Sequence, residues 1–322
     1  MKQKPLLLSK DKEEGNKIRN INVGNLIKVK TQFITNKIFT FYTTEDNSLK
    51  DSILTNVGVL LAKKSEDNRN ILIIDFNGPT PNLDHYLGVT KEVYVKDIYN
   101  TSTALTGVTA CFSAIEKGLF NSNLLKTEFV KPVRSFKNLS VLTGVYDRNM
   151  FEKITAKHYE KILEVASEVF DTILISTNPY LADAATFTSM QKCTKAIIIS
   201  NATYTGLRAA FKDVEEELIK YQNFPKDKFD FIVGNMSSRS LDKQIIKEIL
   251  KGYKILGYVN ENKYAMAALN NKIPLILTRH GQKDVVNYIN IIANMGYIPK
   301  LSFLDNIFKK KHYIESEKGV DI

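Results

Sequence analysis

The residues best placed to do chemistry are Lys50, Asp51, Ser52, Asp75 and Asn77. Lys50 lies within the polar stretch "EDNSLKDS" (45–52), which follows the apolar run "KIFTFYT" (37–43), and an amphipathic pattern starts immediately after that stretch. A strand, a short polar loop with one lysine and then a helix is the layout of a phosphate-binding loop. In such a site Lys50 would pair with phosphate oxygens. Asp51, Ser52 and Asp75 would supply hard oxygen ligands to a magnesium ion. The stretch contains no glycine, although a cradle of inward-pointing backbone N–H groups needs positive φ, which glycine adopts without strain. Asp46, Asn47, Ser48 and Leu49 stand where that cradle would be, and each non-glycine residue held there costs about 1–2 kcal/mol. Two such residues would weaken a micromolar site by roughly 30- to 1000-fold, to about the millimolar range. Glu45, Asp46 and Asp51 would add repulsion against a polyphosphate.

Positioning these residues requires strands and helices in alternation. Strand patterns occur at 37–43, 71–76, 139–144, 171–177, 195–200, 229–235 and 254–259, several of them apolar on both faces. Helical patterns follow the first strand, where Ile53, Leu54, Val57, Leu60 and Leu61 share a face, and recur near 156–169, 205–220, 240–251 and 282–295. The segment "VTACFSAIEKGL", within a long connection at 91–138, also reads as a helix. The predicted fold class is α/β, a doubly wound, mostly parallel sheet with helices on both faces. Residues 1–36 form a basic N-terminal segment, 37–300 the sheet domain, and 301–322 a basic amphipathic tail.

Composition narrows the function classes. The formal net charge of +10 suits an acidic partner, nucleic acid or anionic lipid, and equally suits the Lys-, Asn- and Ile-rich usage of an AT-rich genome. Cys111 and Cys193 argue for a reducing compartment rather than a disulfide scaffold. His85, His158, His280 and His312 stand too far apart in sequence to suggest a metal site. No apolar run approaches the roughly 20 residues of a membrane span, and Met1 to Lys10 lacks the apolar core of a signal peptide. A cytoplasmic protein is therefore expected.

The order of pieces resembles the deviant-Walker P-loop ATPases of the ParA/MinD type, and looks most like the pilus-positioning TadZ/CpaE branch. The resemblance spans roughly residues 37–300 and rests on "EDNSLKDS", "DFNGPTPNLDHYLG" (75–88), "FDTILISTNPYLADAAT" (170–186), "NATYTGLRAA" (201–210), "FDFIVGNMSS" and "LGYVNENKYAMAALNNKIPLI" (256–276). It implies ATP and Mg²⁺ as cofactors, a homodimer, and a role in positioning or assembling a pilus, secretion or conjugation machine. The motifs depart from the family's pattern. Lys50 keeps the Walker A lysine, but Asp51 replaces the magnesium-binding hydroxyl, with Ser52 one place on. Glu45 replaces the signature lysine that reaches across the dimer. Asp75 is kept, Asn77 replaces an aspartate, Ser176 stands at the Walker B carboxylate, and Asn260 replaces a proline. Asn235 matches an adenine-contacting asparagine. With these changes, nucleotide binding is expected to be weak or lost and hydrolysis weak or absent. For Lys50 the alternative is an ordinary solvated lysine, for Asp75 a cap on the following turn, and for Arg208 either a partner surface or an exposed helical arginine.

The tail "FLDNIFKKK" (303–311) would place Phe303, Leu304, Ile307 and Phe308 on one helical face, with Lys309, Lys310 and Lys311 at its edge. Burying the four apolar side chains in a membrane interface, plus about 1 kcal/mol per lysine near anionic lipid, would give a weak peripheral anchor that a dimer strengthens. Packing on the domain is the alternative. A DNA-partitioning ATPase that binds non-specific DNA is the competing function, and loss of the signature lysine argues against it.

Overall fold

The computed structural model describes residues 37–64, 69–78, 80–91, 94–96 and 102–297, so the N-terminal segment and the membrane-tail expectation lie outside the described residues. Eight strands form one sheet: β1 (Lys37–Thr43), β2 (Ile71–Phe76), β5 (Lys131–Pro132), β6 (Leu139–Leu142), β7 (Thr172–Thr177), β8 (Lys195–Asn201), β9 (Phe229–Met236) and β10 (Lys254–Asn260). A separate antiparallel pair, β3 (Tyr94–Lys96) and β4 (Ser102–Ala104), lies between β2 and β5 in the chain. The order across the large sheet is β10-β9-β8-β1-β7-β2-β6-β5, parallel except at the β5 edge. Strands β2 and β7 are buried along their whole length, which explains their near-continuous Ile and Leu content.

The expected α/β, doubly wound sheet is the one observed. Each predicted strand is present within a few residues of its expected ends. The short β5 edge and the β3–β4 pair carry too little alternating pattern to be read from sequence. The predicted helix at 205–220 divides into an α-helix, Tyr204–Lys212, and a wider π-turn segment, Asp213–Tyr221. The wider winding keeps Val214 and Leu218 on the core side.

Helix α1 (Asn47–Lys64) departs most from its amphipathic reading. Thr55, Asn56, Gly58 and Val59 are buried together with the predicted apolar face. It packs against β1, β2 and β7 on one side and against the helix Val285–Asn294 on the other. Its polar residues are satisfied inside: Asn56 donates to the Tyr288 hydroxyl at 3.1 Å and accepts from the Ile276 N–H at 3.2 Å. Gly58 permits the close approach, because a Cβ there would stand 2.6 Å from Ile73 Cδ1.

Candidate functional site

The site is built where β1, β2 and β7 end beside the first turns of α1. In the register of the sheet, Ser176 of β7 lies opposite Phe41 on one side and Asp75 on the other. Asp46 explains why the intervening loop is so short. Its carboxylate accepts a hydrogen bond from the Ser48 N–H at 2.9 Å, which caps α1 and starts the helix at Asn47. Only Thr44, Glu45 and Asp46 separate strand from helix. No residue from Thr43 to Ser52 has a positive φ. The strain that the sequence suggests for a glycine-free cradle is thus not incurred, because Asn47, Ser48 and Leu49 are helical.

Lys50 is fully buried. Its amine donates to Ser176 Oγ at 2.7 Å and to the Thr177 carbonyl, and lies 3.3 Å from Asp51 Oδ1. The Ser176 hydroxyl in turn donates to Asp51 Oδ1 at 2.6 Å. Burial pulls the Lys50 amine below its ordinary range, against the opposing pull of Asp51 and Asp75. The solvated-lysine reading is excluded. Asp51 Oδ2 is buried with no hydrogen-bond partner among the described residues.

Asp75 sits beside this cluster. Its carboxylate accepts from the Asn77 N–H at 3.1 Å and from the Asn82 and Leu83 N–H groups, each at 2.9 Å. It therefore organises the turn after β2, as the capping alternative proposes. Its carboxyl is pushed up to about 7, first by burial and second by the Asp51 charge; the Leu83 and Asn77 N–H groups and Lys50 act in the other direction. Asn77 is also buried and holds the turn to α1, accepting from Asn47 Nδ2 at 2.9 Å and donating to the Thr80 carbonyl at 3.2 Å.

The remaining predicted residues lie apart from this cluster. Ser52 is half-buried, and its carbonyl accepts from the Thr55 hydroxyl. Asn235 takes a left-handed backbone conformation at the end of β9 and donates to Asn201 Oδ1 at 2.6 Å. It lines a separate hollow of about 360 Å³ with Asn201, Thr203, Arg239 and Glu261. Arg208 is exposed. Among the described residues there is no group of three or more His, Cys, Asp or Glu side chains that could hold a metal ion. Likewise, no described helix is long and apolar enough to cross a membrane.

Glu45 turns inward. Its Oε2 accepts from the Asn201 N–H at 2.8 Å, and the carboxylate lies against the start of the helix Tyr204–Lys212. Gly206 makes room for it, since a Cβ there would stand 2.8 Å from both carboxylate oxygens.

No family model and no curated protein matches the chain. Solved structures do. The cell division ATPase MinD of Pyrococcus furiosus superposes with a TM-score of 0.63 at 17% identity, covering 81% of this chain and 99% of that one. A ParA family ATPase from Chlorobium tepidum TLS gives 0.64 at 14%, covering 81% and 98%. The fold is that of the ParA/MinD P-loop ATPases. A third ParA/MinD structure, the septum site-determining protein MinD of Pyrococcus horikoshii OT3 complexed with Mg-ADP, gives 0.61 at 17% identity, covering 80% of this chain and 94% of that one.

Two features of the site escaped the sequence reading. Ser176 enters the site as a proton donor that joins Lys50 to Asp51. A serine directly after the apolar run "ILI" (173–175) was its signal. The inward anchoring of Glu45 had none, because its partner is a backbone N–H 156 residues away.

Proposed function

We propose that this chain is a ParA/MinD-like positioning or assembly protein that acts by binding, with a nucleotide site that no longer holds Mg-ATP productively. The observation that carries the reading is the closed bonding of Lys50. Its amine is engaged by Ser176, the Thr177 carbonyl and Asp51, all within the protein. A polyphosphate would need that amine, and it would need consecutive backbone N–H groups aimed at one point. Instead the loop is three residues long, has two carboxylates, and is followed directly by helix. These residues do not fit a magnesium nucleotide.

The inward set of Glu45 supports a second element of the reading. A carboxylate satisfied by the Asn201 N–H of its own chain cannot replace a lysine that reaches across a nucleotide sandwich. If a homodimer forms, it forms without nucleotide as its switch. The partners are components of a membrane-associated machine, of the pilus, secretion or conjugation kind that the TadZ/CpaE likeness suggests. The protein acts in the cytoplasm, held at the inner face of the membrane by the tail at 303–311.

Titration calorimetry with Mg-ATP, on the wild-type chain and Lys50→Ala in parallel, tests the site. The expected result is no saturable heat from either at millimolar ATP. Micromolar binding by the wild type that disappears in the variant would overturn the reading. Deleting residues 302–322 is expected to release the protein from the membrane fraction, and unchanged localisation would remove the membrane element.

A further inference from the structure

A cavity of about 720 Å³ opens on the sheet face opposite α1. Alternation along β1 places it there. Phe39 and Phe41 pack with Leu54 and Val57 of α1, whereas Tyr42 points the other way, into the cluster with Met190 and Leu207. Tyr42 is fully buried and lines the cavity. Its hydroxyl donates to Asp213 Oδ2 at 2.6 Å, with the Pro179 carbonyl at 3.2 Å. Burial, reinforced by Asp213, raises the Tyr42 phenol, so it stays a proton donor. Tyr180, Leu181 and Phe187 provide apolar and aromatic walls, and Asp213 and Glu217 provide charge.

The sign of that charge is informative. The chain carries a formal net charge of +10, yet among the described residues no Lys, Arg or His lines this cavity. Glu217 forms no ion pair among the described residues. Asp213 uses one oxygen on Tyr42, and no described donor meets the other. The size falls within the range of about 300–1,000 Å³ typical of small-molecule sites. Aromatic faces beside carboxylates favour a cation with an apolar body, through cation–π attraction and ion pairing together.

We propose that this cavity is a binding site for a small organic cation, an ammonium group on an alkyl or aryl body, with Asp213 and Glu217 as its charge partners. The proposal does not depend on the state of the Lys50 cluster, which lies on the other face of the sheet.

Ligand-observed NMR with three near-isosteric probes tests it: phenethylammonium, phenethyl alcohol and phenylacetate. The ammonium is expected to bind about tenfold more tightly than the alcohol, as charge-assisted hydrogen bonding implies, and phenylacetate is expected to bind least. Glu217→Gln, an exposed and structurally undemanding change, should weaken the ammonium about fivefold and leave the alcohol unchanged. Asp213→Asn, which retains an acceptor for Tyr42, should do the same. Equal binding of the three probes, no binding of any at millimolar concentration, or ammonium affinity unaffected in both variants would overturn the proposal.

Discussion

The Lys50 amine and the Ser176 hydroxyl meet at 2.7 Å inside the core, one from the first turns of α1 and one from the middle strands of the sheet. Through Ser176 the amine is also linked to Asp51, so an amine, a hydroxyl and one carboxylate oxygen are bonded to one another away from water. Such a cluster is costly to assemble and more costly to leave half-made.

Lys50→Met should therefore destabilise the protein by about 3–5 kcal/mol, because removing one member of a buried ion pair leaves the other without its counter-charge. The double variant Lys50→Met, Asp51→Leu should recover most of that loss. Urea unfolding of the three proteins checks this. A single variant as stable as wild type would show that the buried pair contributes nothing.

Asp75 gives a pH dependence whose sign is fixed by its raised carboxyl. Its folded value is about 7 against an ordinary 3.8, so between these the folded state binds more protons than the unfolded state. The unfolding free energy must then fall as pH rises through that window, the opposite of a salt-bridged carboxylate. Urea midpoints between pH 4.5 and 7.5, for wild type and Asp75→Asn, should show a negative slope that flattens in the variant.

Glu45→Lys introduces the lysine that the resemblance to the ParA/MinD pattern implies at this position. Here it should remove the acceptor for the Asn201 N–H and put a cation against the start of the helix Tyr204–Lys212. A loss of about 1–2 kcal/mol is expected, with Glu45→Gln costing less. Analytical ultracentrifugation of Glu45→Lys with and without Mg-ATP should show the same oligomer in both.

Gly58→Ala probes the packing of α1 on the sheet. The added methyl would stand 2.6 Å from Ile73 Cδ1 and 3.3 Å from Leu174 Cδ1, an overpacking that should cost about 1–3 kcal/mol. Thermal melts should show Ile73→Val recovering part of that loss in the Gly58→Ala background, because it removes the closest atom.

The sequence by itself determined the fold class, since short, largely apolar runs such as "ILIIDF", bounded by polar residues and alternating with helical patterns, read as strands covered on both faces. It also placed Lys50 and Asp51 where the first helix follows the first strand, and Asp75 at the end of the second strand, where strand–helix connections gather side chains. Helix Asn47–Lys64 was legible as a helix, but not as one buried all round, because its outer cover is the helix Val285–Asn294, more than 220 residues later. Only the tertiary structure decided what the site residues do. A lysine in a polar stretch reads the same whether it meets water, phosphate or a serine 126 residues away. The short, helix-capped loop left no strained backbone for glycine to relieve, and long-range contacts with β7 and β8 turned Lys50 and Glu45 inward.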